Sequence, residues 1–283
     1  MKTIALYNPA SGSVTADGGE KLRAALEGAG VRGADFVELD RSGCDQQLKQ
    51  LANADPDLLV VWGGDGTLRS ALTLAGQTPN LLLLPGGTMN LLTKSIHGEK
   101  TWDVILKEVL ARPRRKVIPA GRANDEHFYC AMLAGAPARL AEAREALRRG
   151  ELVKAAAEAR AALETLGNLN LEARYRDGYT FERSSLPPTS IVGVLVGPVA
   201  RDAEMEVAAL SEPTPGAALS VIWSSFISDW RSAPNVTVVP ARSLVIESGD
   251  GDIPVIIDGE AMEVGDVVRV SYVKEAAQCL TAG

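Results

Sequence analysis

The chain has 283 residues, enough for two packed domains with separate cores, and 46% apolar with 23% charged residues is the balance of a folded protein rather than a disordered one. A net charge of −7 argues against a nucleic-acid partner, which requires a basic face. The longest apolar run, residues 191–200, contains Gly and Pro and falls far short of the ~20 residues that cross a bilayer, so no transmembrane segment is expected.

Thr3 to Tyr7 opens the chain as a strand and leads into Asn8-Pro9-Ala10-Ser11-Gly12, a turn of small and polar residues. Helical patterns follow at 19–28 and 46–53. Residues 58–67 read Leu-Leu-Val-Val-Trp-Gly-Gly-Asp-Gly-Thr, an apolar run suited to a strand buried on both faces, broken by a glycine turn. Thr67 is the expected N-cap of a helix over 68–76. The same device recurs at Leu81–Leu84, which ends in Pro85-Gly86-Gly87-Thr88-Met89-Asn90, and a helix is expected at 102–111. Strands alternating with helices predict a parallel sheet. In such a sheet ligands bind beyond the carboxyl ends of the strands, where all three turns converge. Strand, glycine turn and helix N-terminus together offer free N–H groups to a phosphate. Asp65 inside such a loop makes sense where a cation shares the site, as Mg2+ does with a nucleotide.

Near residue 118 the pattern changes. A helical stretch at 137–167 precedes short β-type runs at 171–175, 191–196, 218–223, 236–239, 243–247, 255–257 and 267–273, which predict an antiparallel sandwich. Asp258-Gly259-Glu260 is first a hairpin turn, since Asp-Gly is a strong hairpin signal. Its second reading is chemical: a hydroxyl attacking a γ-phosphoryl group needs an acceptor for its proton. Cys44, Cys130 and Cys279 lie far apart with no Cys-x-x-Cys pair, as for thiols in a reducing compartment, and His97 and His127 are too few for a histidine-based zinc site.

The Asn-Pro-x-Ser-Gly opening, Gly63-Gly64-Asp65-Gly66-Thr67, the Gly87-Thr88-Met89-Asn90 turn and Asp258-Gly259-Glu260 together resemble the diacylglycerol kinase catalytic family, which includes bacterial lipid kinases and sphingosine kinases. Gly-Gly-Asp-Gly-Thr alone is shared with NAD kinases. The resemblance implies an α/β nucleotide-binding domain at 1–118, to which 275–283 return, and a β-sandwich lipid-substrate domain at 119–274. It implies transfer of the γ-phosphate of ATP to a lipid hydroxyl, with diacylglycerol or a sphingoid base as acceptor. By matching position, Asn8, Ser11, Gly63, Gly64, Asp65, Gly66, Thr67, Gly87, Thr88 and Asn90 would contact the nucleotide, and Asp65 would hold Mg2+. Glu260 would accept the proton, with Asp258 supporting it or competing for the role and Asp65 a third candidate base. The expected protein is cytoplasmic and meets its lipid peripherally at the inner membrane face, as a monomer or homodimer. The basic run Arg112, Arg114, Arg115 and Lys116 could face anionic headgroups or form a solvated connector, and Trp223, Phe226 and Trp230 could insert at an interface or pack in a core.

Three departures stand out: Ser70 where family members often carry Glu, Ser13-Val14-Thr15 where many carry Lys, and Glu212 to Gly216 without the aspartates of a structural-metal loop. They keep two rival readings open, a nucleotide-binding regulatory protein without transfer activity and an NAD kinase-like enzyme.

Overall fold

The computed structural model describes residues 1–40, 44–78, 80–135, 150–154, 156–158, 160, 170–178, 183–197, 200, 204–210 and 236–283. They divide into two compact units, Met1–Pro119 with Lys274–Gly283, and Ala120–Val273.

The first unit is an α/β layer structure. Its elements are β1 (Thr3–Tyr7), α1 (Gly18–Gly28), β2 (Asp35–Glu38), α2 (Cys44–Asn53), β3 (Leu58–Gly63), α3 (Asp65–Ala75), β4 (Leu81–Pro85), α4 (Leu91–His97) and α5 (Trp102–Ala111). The four strands pair in parallel in the order β2-β1-β3-β4, with Leu6 opposite Val61 and Val61 opposite Leu83. Every residue of β3 and β4 is buried, which accounts for their unbroken apolar runs. Leu22 and Leu26 of α1 and Ile105, Leu106 and Val109 of α5 pack with Val60, Trp62, Leu82 and Leu84 in one core. Trp62 closes the β3–β4 edge: its indole N–H donates to Pro85 O at 2.9 Å, and its ring meets that of Trp102 at 4.4 Å. The strand order reverses between β1 and β3, so the turns after these strands border the crevice where such sheets take ligands.

One helix boundary differs from expectation. α3 begins at Asp65, and its N-cap is Gly64, in an extended conformation (φ −77°, ψ 172°), not Thr67. Thr67 is buried, and its hydroxyl is already bound by Asn8 from 59 residues away. A long-range contact therefore overrides the local capping preference.

The second unit is an antiparallel sandwich. Its chain runs through β5 (Pro113–Ala123), β6 (Glu126–Phe128), β7 (Ala131–Gly135), β8 (Leu171–Arg176), β9 (Ser184–Ser185), β10 (Ile191–Val196), β11 (Met205–Leu210), β12 (Val236–Pro240), β13 (Ser243–Ser248), β14 (Pro254–Ile257), β15 (Glu260–Glu263) and β16 (Val267–Ala282). One sheet has the order β12-β11-β10-β7-β14-β15 and the other β6-β5-β16-β13-β8-β9. Val192, Val194 and Val196 of β10 and Met205, Val207 and Ala209 of β11 share a core with Leu244, Ile246, Val268 and Val270 of the other sheet. Side chains at alternate positions face this shared interior, as the period of a strand requires.

β16 runs nine residues past the expected end of its strand at 273. In its last part Gln278 N–H donates to Gly76 O and Gly283 N–H to Arg112 O, and Leu280 enters the core of the first unit. The basic run at 112–116 leads into β5, the strand that passes from the first unit to the second, and Arg112, Arg114 and Arg115 are exposed, as a solvated connector would be. The expected strand at 218–223, the aromatics Trp223, Phe226 and Trp230, the 212–216 loop and most of the 137–167 helix lie outside the described residues. Residues 152–154, 156–158 and 160 of that stretch are helical. Among the described residues no helix is long and apolar enough to cross a membrane.

Candidate phosphate-binding site

The first turn, after β1, is folded on itself by Asn8. Its side-chain oxygen accepts the Ala10 N–H at 3.0 Å and its carbonyl accepts the Ser11 N–H at 3.1 Å. The Asn8 amide nitrogen donates to Thr67 Oγ at 2.9 Å, tying this turn to the first turn of α3. Ser11 Oγ accepts the Gly64 N–H at 2.9 Å. The second turn is thereby held against the first at two points.

The third turn, after β4, lies over both. Gly86 N–H donates to Gly63 O at 2.7 Å, and Ser13 N–H donates to Gly86 O at 2.9 Å. Only glycine fits here: a Cβ on Gly86 would sit 2.6 Å from Val14 Cγ2 and 3.1 Å from the Gly63 backbone, and one on Gly87 would sit 3.0 Å from Gly64 Cα. Thr88 Oγ stands 2.9 Å from where a Cβ of Gly12 would be. Asn90 adopts the left-handed conformation (φ 53°, ψ 39°) as N-cap of α4. Its side chain binds Gly87 both ways, accepting the N–H at 2.8 Å and donating to the carbonyl at 2.9 Å. Asn8, Ser11, Gly63 to Thr67, Gly87, Thr88 and Asn90 thus come together within the first unit.

What this arrangement offers is donors. No side chain caps α3, whose N-cap is glycine, so the N–H groups of its first turn have no intrahelical acceptor. Free N–H groups of this kind, together with the helix dipole, are suited to an anion.

Asp65 is the acidic element. Its carboxylate accepts the Leu92 N–H at 3.2 Å and so caps α4, a helix that the sequence reading did not contain. Burial pushes its pKa up, while the amides of Leu92, Leu91 and Asn90 and the charge of Lys94 pull it down. A carboxylate has about four lone-pair positions, so these amides leave one for a metal or its water. Mg2+ is commonly bound through one or two carboxylates plus substrate phosphates, and this residue set fits that pattern.

In the second unit Asp258 and Glu260 occupy the β14–β15 hairpin, where Ile257 pairs with Glu260. Asp258 and Gly259 both have positive φ, 46° and 93°, as a two-residue type I′ turn requires. The Asp258 carboxylate is committed to backbone: Oδ2 accepts Tyr129 N–H at 2.7 Å, and Oδ1 accepts Cys130 and Ala131 N–H at 2.9 Å each. Asp258 N–H returns to Ala131 O at 2.9 Å. Glu260 is exposed.

Residues 2–118 match the family of the diacylglycerol kinase catalytic domain, and all three turns fall inside that segment. A Streptococcus pneumoniae (serotype 4) protein described as "Putative lipid kinase" is 30% identical over 135 residues, 45% of this chain. That match spans 44% of the relative's own length. Two Bacillus anthracis structures are similar throughout. One, described as a diacylglycerol kinase, has a TM-score of 0.68 at 15% identity and covers 99% of this chain and 96% of its own. The other, described as a "putative diacylglycerol kinase", has a TM-score of 0.70 at 18% identity, with 99% and 97% covered. At such identities the likeness is one of fold, an α/β part followed by antiparallel sheets. Asp258 and Glu260 lie beyond the family segment and rest on their own geometry.

Two features beside the turns have little local signal in the sequence. The bond from Leu92 to Asp65 depends on α4, whose seven residues are signalled only by Leu91, Leu92 and Ile96 after Asn90. Lys94 follows from the same helix.

Proposed function

We propose that this protein is an ATP-dependent lipid kinase that transfers the γ-phosphate to a lipid hydroxyl, with diacylglycerol or a sphingoid base as acceptor. The observation that carries the reading is the uncapped start of α3, with Ser11, Gly87 and the half-buried Asp65 around it, within the segment that matches the diacylglycerol kinase catalytic domain. The N–H groups of Asp65, Gly66 and Thr67 bind phosphate oxygens, and Asn8, Ser11, Thr88 and Asn90 fix the turns that present them. Asp65 would hold Mg2+, which would supply positive charge to offset that of the phosphates.

The lipid oxygen attacks the γ-phosphorus as the bond to the β–γ bridging oxygen breaks, ADP leaves, and the hydroxyl proton passes to Glu260. Asp258 is a poor candidate for that proton, because three backbone N–H groups already occupy its oxygens. It serves instead to hold the hairpin that carries Glu260. Because the transition state is loose, the position of the acceptor matters more than its strength. Arg112, Arg114 and Arg115, exposed at the start of β5, provide peripheral contact with anionic headgroups at about 1 kcal/mol each.

The test is Mg2+-dependent transfer from labelled ATP to micellar diacylglycerol, monoacylglycerol, sphingosine, ceramide and phosphatidylglycerol, with NAD as a soluble control. A labelled lipid formed by the wild type and lost in Glu260→Ala supports the proposal. Labelled NADP would move the chain to the NAD kinase reading, and nucleotide binding with no product would make it a regulatory protein.

A further inference from the structure

None of the three turns contains a basic residue, although a triphosphate brings about four negative charges and Mg2+ offsets two. With the Asp65 carboxylate beside it, such a ligand needs a further cation at short range. Lys94 lies one helical turn beyond Asn90, and its backbone N–H donates to Asn90 O at 2.9 Å. Its charge is felt at Asp65. Its side chain, with Ser13, Asn90, Lys100 and Trp102, lines a cleft of about 390 Å3 in the first unit. This cleft adjoins the third turn, since Ser13 donates to Gly86 O and Asn90 grips Gly87.

The two lysines of the cleft are not equivalent. Lys100 is committed to Glu108 at 2.6 Å, whereas Lys94 meets Glu99 only at 3.8 Å, in a pair whose side chains are 46% and 85% exposed. Exposed pairs at such a distance contribute little, so Lys94 exchanges this partner for a phosphate at small cost.

We propose that Lys94 is a phosphate-binding residue, whose ammonium neutralises the terminal phosphate of a nucleotide seated on the three turns. The inference rests on the lipid-kinase reading and adds to it the cation that the turns lack. It predicts discrimination between nucleotides: a ligand without the terminal phosphate gains little from Lys94.

The experiment is calorimetric titration of the full chain with Mg·ATP and Mg·ADP, for the wild type, Lys94→Ala, Lys94→Arg and the control Glu99→Gln. Loss of one charge-assisted contact should weaken Mg·ATP about tenfold in Lys94→Ala and leave Mg·ADP within about threefold. Lys94→Arg should restore the preference for Mg·ATP, and Glu99→Gln should keep or strengthen it. An ATP-to-ADP preference unchanged in Lys94→Ala would overturn the inference while sparing the proposed function. A wild type that binds neither nucleotide would overturn both.

Discussion

Replacing Asp258 tests whether its carboxylate is structural. It accepts three backbone N–H groups at 2.7, 2.9 and 2.9 Å, and a hydrogen bond to a charged group contributes about 1.5–3 kcal/mol. The three share one partly exposed carboxylate, so the sum is not reached and a loss of roughly 3 kcal/mol is expected for Asp258→Gly. Glycine isolates the side chain, because φ of 46° costs it nothing. Asp258→Ala adds a left-handed penalty of about 1 kcal/mol, for a total near 4 kcal/mol. Asp258→Asn retains one acceptor oxygen and tolerates the backbone, but turns an N–H donor toward one of the three amides, so about 1–2 kcal/mol is expected. The predicted order of damage is Ala, then Gly, then Asn. Native-state hydrogen exchange at the Cys130 and Ala131 amides, combined with urea titration, reads it directly. Stabilities within about 0.5 kcal/mol of wild type in all three variants would refute the reasoning.

The remaining predictions concern the first unit. Asp65→Asn keeps an oxygen for the Leu92 N–H and so should fold normally, while losing the charge for Mg2+ and dropping turnover on the order of a hundredfold or more in the labelled-ATP assay. Gly86→Ala forces a Cβ against Val14 and the Gly63 backbone, so it should cost about 1–3 kcal/mol in thermal unfolding and weaken nucleotide binding as well. His97 gives a pH signature. Burial pushes its imidazole down to about 4 from 6.5, and among the described residues its Nε2 has no hydrogen-bond partner. Between these values the unfolded chain binds the extra proton, so the stability is complete above pH 6.5 and falls as pH drops toward 4. The loss should reach on the order of 2 kcal/mol by pH 4.5, and His97→Leu should flatten that limb of the urea-midpoint profile.

What could be read from the sequence follows from how each element is buried. β3 and β4 are buried on both faces and announce themselves as unbroken apolar runs. β2 is a four-residue strand of mixed exposure with no such run, so nothing in the sequence announces it. The Asp258-Gly259 hairpin is local chemistry and was legible, whereas its anchorage to Tyr129, Cys130 and Ala131 joins residues nearly 130 positions apart. Thr67 is a better N-cap by type than Gly64, yet the tertiary bond from Asn8 takes its hydroxyl and the helix starts earlier. In the same way Asp65 was legible as a phosphate-loop carboxylate but not as the cap of α4, because capping by a residue 27 positions away leaves no local pattern. The apolar alternation of β16 breaks at Lys274 and Glu275, both exposed, so the sequence alone predicts its end at 273.

Amide hydrogen exchange of the wild type with and without Mg·ATP bears most directly on the phosphate site. Slowed exchange at Asp65, Gly66 and Thr67 and across the turn from Gly86 to Asn90 is the result expected if these N–H groups hold the phosphates. Unchanged exchange at those amides with nucleotide bound would contradict the assignment of the three turns.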